Sequence, residues 1–351
     1  MAERVLTLRE LNRATLARQL LLERVALSPV QVIEHLVGMQ AQWPRAPYTG
    51  IWTRTTKFSR ADLERELAEG TVVKATMMRQ TLHLVTRRDY GLIRAALAET
   101  NHLDKTPDAQ RFAPLVRALA TSGHLTTAEA LSYLEREHGL TGIRARRAWR
   151  GARVRAHLLP HHESALWRAR PERRYVPLDE PDEHEPDRAR AEMLHRYLAA
   201  FGPASVRDMT LWAMMHVPET KRAVALIEPL TRYRDENGRE LLDVADAPLP
   251  DPGEPAPVRF LPKWDNVLLA FADRTRVLPE PYRKKVIKIN GDVAATFLVD
   301  GFVAGTWRYD GRHVLLEPFD ALPRKALREV ESEAALLERF LGDTPASESG
   351  S

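Results

Sequence analysis

The chain has 351 residues, of which 44% are hydrophobic and 28% charged, a composition typical of a globular protein with about two to three domains. It has no cysteine, which excludes disulfides, thiol nucleophiles and cysteine-ligated metals. The net charge of +4 does not by itself indicate a nucleic-acid partner. Because we find neither a signal-peptide pattern nor an apolar run long enough to span a membrane, we expect a cytoplasmic protein.

The N-terminal part predicts short helices followed by strands. Apolar residues at helical spacing predict helices over 7–24, 29–39 and 60–69. Ser28 with Pro29, and Ser59 with Asp62, are start signals for the second and third helices. The β-branched and apolar residues of 71–86 then indicate short strands. Since this is the layout of a winged helix, we predict such a unit at 1–100.

The same succession recurs twice along the chain. Helices are predicted over 108–120, 126–138 and 141–157 with a wing at 164–178, and again over 187–200, 206–216 and 218–229 with a hairpin at 231–244. We therefore predict a second unit at 101–178 and a third at 187–245, joined by an acidic linker. Sequence identity among the three is negligible, so the repeat is inferred from pattern alone.

The C-terminal part changes character after a proline-rich stretch at 246–257. Turn dipeptides at regular intervals predict five antiparallel strands, of which the first two cover 267–273 and 284–290. We expect a small barrel and a final helix within 258–342, and a disordered tail at 343–351. The predicted class is α+β, mainly α, with three winged-helix units and a C-terminal antiparallel β-barrel.

Positive charge is concentrated in one segment. Residues 143–174 contain ten arginines and two glutamates, so they carry +8 while the rest of the chain sums to −4. This segment occupies the recognition-helix and wing positions of the second unit, which favours phosphate binding over a merely solvated face. The predicted DNA contacts in the helix are Arg144, Arg146, Arg147, Arg150 and Arg153.

Two glutamines stand where the second helix should end. Pro44 disfavours helical geometry at Trp43, and on an extended backbone Gln40 and Gln42 point to the same side. Their amides can then hold one water without titrating. The simpler alternative, which the residues alone favour, is that both amides satisfy backbone groups at a helix end.

Two further clusters are candidates for polar chemistry. Strand alternation places Thr81 and His83 on one face, where His83 could contact a phosphate or a reacting centre, although a structural role is the commoner one. Asp265, Asp273, Arg274 and Arg276 could form a polar network at the barrel edge. Standard hydrolase, nucleotide-binding and zinc motifs do not occur, and we predict no metal site.

Five segments in this order resemble one family. They are MQAQWPRAPYTGIWTR, RQTLHLVT, FGPASVRDMTLWAMM, FLPKWDNVLLAFADRTRVL and FLVDGFVAGTWR. They resemble the AlkZ-like winged-helix DNA glycosylases, a bacterial family with a YcaQ-like branch, over about residues 7–340. The resemblance implies three tandem winged helices and a C-terminal β-barrel that together form a C-shaped channel for DNA.

The resemblance also assigns roles to residues. Gln40-Ala41-Gln42 matches the catalytic Gln-Φ-Gln motif of the AlkZ branch, which implies that Gln40 and Gln42 are catalytic, with Trp43, Thr81 and His83 in support. A DNA-contacting hairpin of the barrel is expected at 283–295. Its predicted DNA contacts, together with those at the barrel edge, are Arg274, Arg276, Arg283, Lys284, Lys285 and Lys288.

The function implied is hydrolysis of the N-glycosidic bond of N7-alkylguanine by a monofunctional glycosylase without metal or cofactor. The expected partner is double-stranded DNA that carries alkylated guanine. We expect the protein to act as a monomer associated with the bacterial nucleoid, and we expect no membrane partner. The sequence does not distinguish whether the natural lesion is a simple alkyl group, an interstrand crosslink or a bulky natural-product adduct. It also leaves two roles possible, self-resistance and general repair. The alternative is a non-catalytic winged-helix transcription regulator.

Overall fold

The computed structural model describes residues 4–100, 102–123, 125–169, 173–179 and 183–342. The chain enters with strand β1 (Arg4–Leu6) and helix α1 (Leu8–Arg18), which begins with a capping box between Thr7 and Glu10. Helix α1 ends well before 24, because Leu20 adopts a left-handed backbone with φ of 55°. The predicted tail, 343–351, lies outside the described residues.

The first helix-and-sheet unit contains the two predicted helices and the strand pair, together with a strand at 39–40 and a helix at 45–52 that were not predicted. It consists of α2 (Pro29–His35), β2 (Met39–Gln40), α3 (Arg45–Trp52), α4 (Arg60–Ala68), β3 (Val72–Thr76) and β4 (Leu82–Thr86), with α5 (Arg87–Ala96) after it. Ser28 and Ser59 cap α2 and α4 through capping boxes. The strands form an antiparallel sheet of order β2-β4-β3.

The second unit repeats this order with longer helices. It consists of α6 (Pro107–Thr121), β5 (Leu125–Thr126), α7 (Thr127–His138), α8 (Gly142–Arg155), β6 (Leu158–Pro160) and β7 (Arg174–Pro177). Its sheet has the order β5-β7-β6. Helix α7 ends at Gly139, whose left-handed backbone (φ 65°) turns the chain into α8.

The third unit consists of α9 (Pro186–Phe201), α10 (Val206–Ala213), α11 (Val217–Val224), β8 (Leu230–Asp235) and β9 (Glu240–Val244). Its first strand is reduced to a single bridge between Ala204 and Leu242. Strand β1 adds to the other edge of this sheet by pairing in parallel with β8. Residues 4–6 therefore belong to the third sheet, although the sequence analysis placed them in the unit at 1–100.

All three units share one topology. In each, a helix leads to a short strand, two helices and a hairpin, and the short strand pairs with the second strand of the hairpin. This is the arrangement of a winged helix. We infer that the three units are winged helices, and that β1 and α1 pack with the third unit rather than with the first.

The C-terminal part contains an open sheet rather than a closed barrel. It comprises β10 (Arg259–Leu261), α12 (Asn266–Leu269), α13 (Arg283–Val286), β11 (Thr296–Val299), β12 (Phe302–Tyr309), β13 (Val314–Pro318) and α14 (Arg324–Gly342). The four strands are antiparallel in chain order. The α+β class is confirmed, but the predicted strands at 267–273 and 284–290 are wrong. Where the first of these strands was predicted, the chain forms α12, which Asp265 caps. Where the second was predicted, residues 283–286 form a helical turn.

Helix α1 connects the third unit to the C-terminal sheet. Arg18 binds Asp243 of β9 through two hydrogen bonds of 2.6 and 2.8 Å, with both side chains buried. The Asn12 amide donates to the backbone carbonyls of Arg276 and Gly301, at 2.7 and 2.8 Å. These contacts join parts of the chain separated by more than 200 residues.

Candidate active site

Gln40 lies on the short edge strand β2, directly opposite His83 of β4. Gly38, which precedes β2, has a φ of +91°, and a Cβ there would lie 2.9 Å from a methyl group of Val85. A side chain at this position would therefore push β2 away from β4. The Asn266 amide donates to the Gly38 carbonyl at 2.7 Å, so the C-terminal part also holds the end of this strand.

The amide of Gln40 has a defined orientation. Its side chain is buried, and Oε1 accepts a hydrogen bond of 3.1 Å from Nη2 of Arg79. A guanidinium only donates, so the atom that faces Arg79 is the carbonyl oxygen. The amide nitrogen of Gln40 therefore points away from Arg79, and its oxygen keeps a second lone pair for another donor.

Gln42 is exposed and only loosely held. Its Oε1 accepts from the backbone N–H of Leu82 at 3.4 Å, near the long limit for a hydrogen bond. The neighbouring Ala41 N–H donates to the Leu82 carbonyl at 2.7 Å, so the Gln42 amide supplies the return bond of the ladder. The Gln42 Oε1 atom thus accepts a hydrogen bond from the backbone, as the simpler alternative expects. Because this contact is weak, the side chain is free to turn toward a substrate.

His83 is a buried, neutral partner rather than a phosphate ligand. Its Nδ1 donates to the Thr81 carbonyl at 3.0 Å, which leaves Nε2 to accept from Arg79 at 3.4 Å. Burial, together with the adjacent Arg79 charge, lowers the pKa of His83 to about 3. The Thr81 hydroxyl donates to the Met78 carbonyl at 3.1 Å, so Thr81 shapes the turn before β4.

Arg79 also lies in the candidate site, although the sequence analysis did not single it out. It donates to Gln40, to His83 and to the Trp212 carbonyl of the third unit, the last at 3.0 Å. Its backbone is left-handed with φ of 54°, an uncommon conformation for a residue with a side chain. Burial and the nearby Arg274 charge lower the pKa of Arg79 to about 10, so it stays protonated at neutral pH.

The site brings together two amides, a neutral imidazole and one cation. Among the described residues, neither Gln40 nor Gln42 forms a hydrogen bond with a carboxylate. Both amide oxygens face protein donors, yet a carbonyl accepts two hydrogen bonds. The arrangement can therefore position a neutral polar molecule such as water without a group that titrates near pH 7.

Trp43, the third predicted supporting residue, lies next to the glutamines at the surface. Its side chain is largely exposed, and its ring centroid is 5.5 Å from Nζ of Lys263. The residue forms one wall of a cavity between α3 and the C-terminal sheet.

The arginines predicted to contact DNA divide into exposed and packed groups. The exposed ones on α8 are Arg144, Arg146, Arg147 and Arg150. Arg144 pairs with Asp108 at 3.2 Å. Arg153 instead points inward, where it donates to the Tyr175 hydroxyl at 2.8 Å and covers that ring. In this structure helical periodicity therefore turns Arg153 toward the core of the second unit, away from the exposed arginines of α8.

The predicted network at 265–276 does not form one cluster. Asp265 binds Arg54 of the first unit through buried hydrogen bonds of 2.9 and 2.8 Å, whereas Asp273 pairs with Arg239 at 2.7 Å. Arg276 is buried and donates to the Pro203 carbonyl at 2.9 Å, so it is not available to DNA in this structure. Arg274 is partly buried, and its Nε donates to the Leu268 carbonyl at 2.8 Å.

The predicted DNA hairpin at 283–295 is a helical turn followed by a tight loop. Ile287 forms a single antiparallel bridge with Val293, and the loop between them exposes Lys288. Arg283, Lys284 and Lys285 are exposed on the preceding turn. All four cations are therefore accessible, although only Lys288 lies within the loop.

The described part of the chain has neither a membrane-spanning helix nor a metal-binding cluster. None of its helices is long and apolar enough to cross a bilayer. Within the same residues, no three His, Asp or Glu side chains form a group that could hold a metal ion.

The fold and the site define a protein built from winged-helix units with a glutamine pair on one sheet edge. A solved structure with the same fold is the DNA glycosylase AlkZ of Streptomyces sahachiroi, at a TM-score of 0.81 and 22% identity over 96% of this chain and 97% of that one. The interstrand DNA cross-link repair glycosylase of the same species is 24% identical, over 93% of this chain and 94% of its own length.

The sequence also matches a family model. Residues 33–340 match the family described as "DNA glycosylase AlkZ-like". The chain belongs to this family of DNA glycosylases, as its sequence motifs predicted.

Proposed function

We propose that the protein hydrolyses the N-glycosidic bond of N7-alkylguanine in double-stranded DNA. The observation that carries this substrate class is the uncharged pair Gln40 and Gln42, which has no hydrogen-bonded carboxylate among the described residues. Alkylation at N7 gives guanine a positive charge, so the base leaves as a neutral molecule and needs no general acid. An uncharged pair then suffices, because strong general-base catalysis is less necessary than for an undamaged nucleotide.

The two amides have complementary roles in this mechanism. Gln40, fixed by Arg79, offers its second oxygen lone pair to a proton of the attacking water. Gln42, loosely bound and exposed, adjusts to the same water from the other side. Their carbonyl dipoles also favour the positive charge that develops on the sugar as the bond breaks.

We further propose that the reaction is monofunctional and stops at base release. Strand cleavage by a glycosylase would require an amine to attack the sugar. Lys74, on the same sheet as the glutamines, pairs with Leu84 and so lies on the opposite face from Gln40 and His83. Its ammonium is buried and donates to the Ser164 carbonyl at 2.7 Å, which supports a structural role.

Duplex binding is assigned to the exposed arginines of α8 and the cations at 283–288, acting in a monomer. Both regions expose side chains suited to phosphate, and both lie outside the glutamine site. We also infer action on interstrand crosslinks, for which the Streptomyces relative is named. A base tied to both strands cannot rotate freely into a closed pocket, and the exposed Gln42 and Trp43 suit approach from a groove.

The test is base release from duplexes that contain N7-methylguanine or a nitrogen-mustard crosslink. Wild-type protein should exceed the spontaneous rate, and Gln40→Ala and Gln42→Ala should each lower the rate by about 100- to 1000-fold, the loss typical of a removed electrostatic group. Gln110→Ala, on the exposed face of α6, is the matched control and should keep full activity.

Two results would contradict the proposal. No release above background, combined with a sequence-specific footprint, would identify a transcription regulator instead. Full activity in the Gln40→Ala, Gln42→Ala double variant would refute the site but not the reaction.

A further inference from the structure

Residues 162–167, which lie between β6 and β7 in the wing of the second unit, pack against the first unit. We call them the brace segment. They form a single 3₁₀ turn and a short extended stretch, in which Ser164, Ala165 and Trp167 are buried. Trp167 is only 6% exposed. Although the segment belongs to the basic region at 143–174, these residues are therefore directed into the protein and not toward a phosphate backbone.

Hydrogen bonds from the first unit hold the backbone of the brace segment. The Tyr48 hydroxyl of α3 donates to the Ala165 carbonyl at 3.2 Å. The Nε atom of Arg45, the first residue of α3, donates to the Trp167 carbonyl at 3.3 Å. In the other direction, the Trp167 N–H donates to a carboxylate oxygen of Glu64 on α4 at 3.1 Å. Each of these bonds crosses from one winged-helix unit to the other.

Two guanidinium groups and two aromatic rings surround the indole of Trp167. The Cζ atoms of Arg45 and Arg60 lie 4.9 and 4.0 Å from the ring, within the range of a cation–π contact. The rings of Tyr48 and Phe340 meet it edge-on, at 5.5 and 5.8 Å between centroids. Because Phe340 belongs to α14, this one side chain joins the second unit, the first unit and the C-terminal part.

Helix α3 lacks the local signals that usually fix where a helix starts. Pro44 at its N-cap provides no side-chain hydrogen bond, and its first turn contains no acidic residue. Its first residue is Arg45, whose positive charge is unfavourable at the positive end of a helix. The contacts of Arg45 and Tyr48 with the brace segment take the place of a cap. The second unit therefore fixes the position of the first turn of α3.

Gln42 lies in the short connection between β2 and α3. This connection, residues 41–44, runs from Gln40, which the sheet holds, to Arg45, which the brace segment holds. The side chain of Gln42 has one weak hydrogen bond, so the position of its backbone decides where its amide can reach. A shift in the first turn of α3 would move one end of the connection while the other stays fixed. A displacement of about 1 Å at a reacting group can slow an enzyme about 100-fold.

We propose that the brace segment positions Gln42 for catalysis through Trp167, so that the second unit contributes to the chemical step as well as to DNA binding. The proposal rests on the function proposed above, since it assumes that Gln42 acts in base release. Trp167 is a positioning residue: it contacts α3, α4 and α14, and it affects the reaction only through Gln42.

The first experiment measures single-turnover base release from an N7-methylguanine duplex at saturating protein, together with the Kd for that duplex. Trp167→Ala should lower the rate by about 10- to 100-fold and leave the Kd within about twofold of wild type. Trp167→Phe, which keeps an aromatic face for Arg45 and Arg60, should restore the rate to within about threefold of wild type. In a Gln42→Ala background, Trp167→Ala should cause no further loss.

The matched control is Phe112→Leu, in the buried core of the second unit and away from the brace segment. It should lower the melting temperature without changing the rate. A wild-type rate in Trp167→Ala would overturn the proposal, as would an equal loss in Phe112→Leu or an undiminished loss in the Gln42→Ala background.

A milder variant keeps the test valid if Trp167→Ala fails to fold. Tyr48→Phe retains the ring and removes only the hydrogen bond to the Ala165 carbonyl. Losing this one bond should slow base release by about two- to tenfold at an unchanged Kd. A wild-type rate in Tyr48→Phe, with Trp167→Ala unfolded, would overturn the proposal.

The second experiment needs no catalysis. Amide hydrogen exchange at 41–52 should be about tenfold faster in Trp167→Ala than in wild type, but unchanged in Trp167→Phe and Phe112→Leu. Unchanged exchange in Trp167→Ala would overturn the proposal. Faster exchange in that variant, combined with no base release by the wild-type protein, would refute the proposed function while showing that the brace segment does fix α3.

Discussion

Arg79 offers the sharpest test of how the glutamine pair is organised. Arg79→Met keeps an unbranched side chain but removes the donors to Gln40, His83 and the Trp212 carbonyl, at 3.1, 3.4 and 3.0 Å. A hydrogen bond from a charged group contributes about 1.5–3 kcal/mol. If the bond to Gln40 acts fully in the transition state, base release should slow by about 10- to 150-fold.

The assay is the single-turnover rate on an N7-methylguanine duplex, measured as a double-mutant cycle with Gln40→Ala. Because Arg79 acts through Gln40, the double variant should be no slower than Gln40→Ala alone. The control is Arg117→Met, since Arg117 lies in the second unit and donates to the carbonyls of Ala156 and Leu178, at 2.8 to 3.0 Å. This control should lower the melting temperature without changing the rate.

Two outcomes would refute the reasoning about Arg79. A wild-type rate in Arg79→Met would show that Gln40 does not need its fixed orientation. Multiplicative losses in the double variant would show that Arg79 acts on the DNA independently of Gln40.

Three further predictions concern pH, duplex binding and stability. The unfolding free energy should fall as the pH falls below 6.5, because unfolded His83 takes up a proton that the folded form, with a pKa of about 3, excludes. The loss is about 2 kcal/mol at pH 5, and His83→Phe should reduce this dependence in denaturant titrations; an unchanged slope would contradict the assignment. Replacing Arg146, Arg147 and Arg150 with glutamate should weaken duplex binding and flatten its salt dependence by about 0.9 per lost phosphate contact, whereas Arg136→Glu on α7 should not. Asp265→Ala should destabilise the protein by about 3–5 kcal/mol in the same titrations, since it leaves Arg54 buried and unpaired; a loss below 1 kcal/mol would be inconsistent with this.

Local signals predicted where several helices begin, although they missed α3 and extended α1 and α2 too far. Ser28 and Ser59 cap helices where the sequence placed them, and Ser205 caps α10 in the same way. A cap depends on residues within one turn, so its signal is complete in the local sequence. The strand pairs of the first unit were predictable for a related reason, because β-branched residues favour extended backbone.

Prediction failed where distant contacts decide the structure. Residues 267–271 are apolar throughout and are buried almost entirely, and a short apolar run does not distinguish a strand from a buried helical turn. The Asp265 side chain caps α12 and so favours the helical turn over the strand. That carboxylate is itself held by Arg54, 211 residues away. Closure of the predicted barrel likewise depends on pairing between β10 and β13, on which turn dipeptides carry no information.

The candidate site shows the same division. Extended backbone at Gln40 follows from the end of α2, but the orientation of its amide depends on Arg79, whose other anchor is the Trp212 carbonyl, 133 residues further along. Arg153 and Arg276 looked like DNA contacts because composition reports charge and not direction. In the folded protein Arg153 and Arg276 donate to groups inside, whereas Arg146 and Arg150 are exposed.

The position of helix α1 has a consequence for the order of assembly. The first strand and helix leave the ribosome early, yet β1 pairs with β8, and Arg18 and Asn12 donate to groups in residues 198–301. Arg18 and Asn12 must therefore stay hydrated until most of the chain has been synthesised. We expect the winged-helix units to form early and independently, with insertion of α1 as a late step that joins the third unit to the C-terminal sheet.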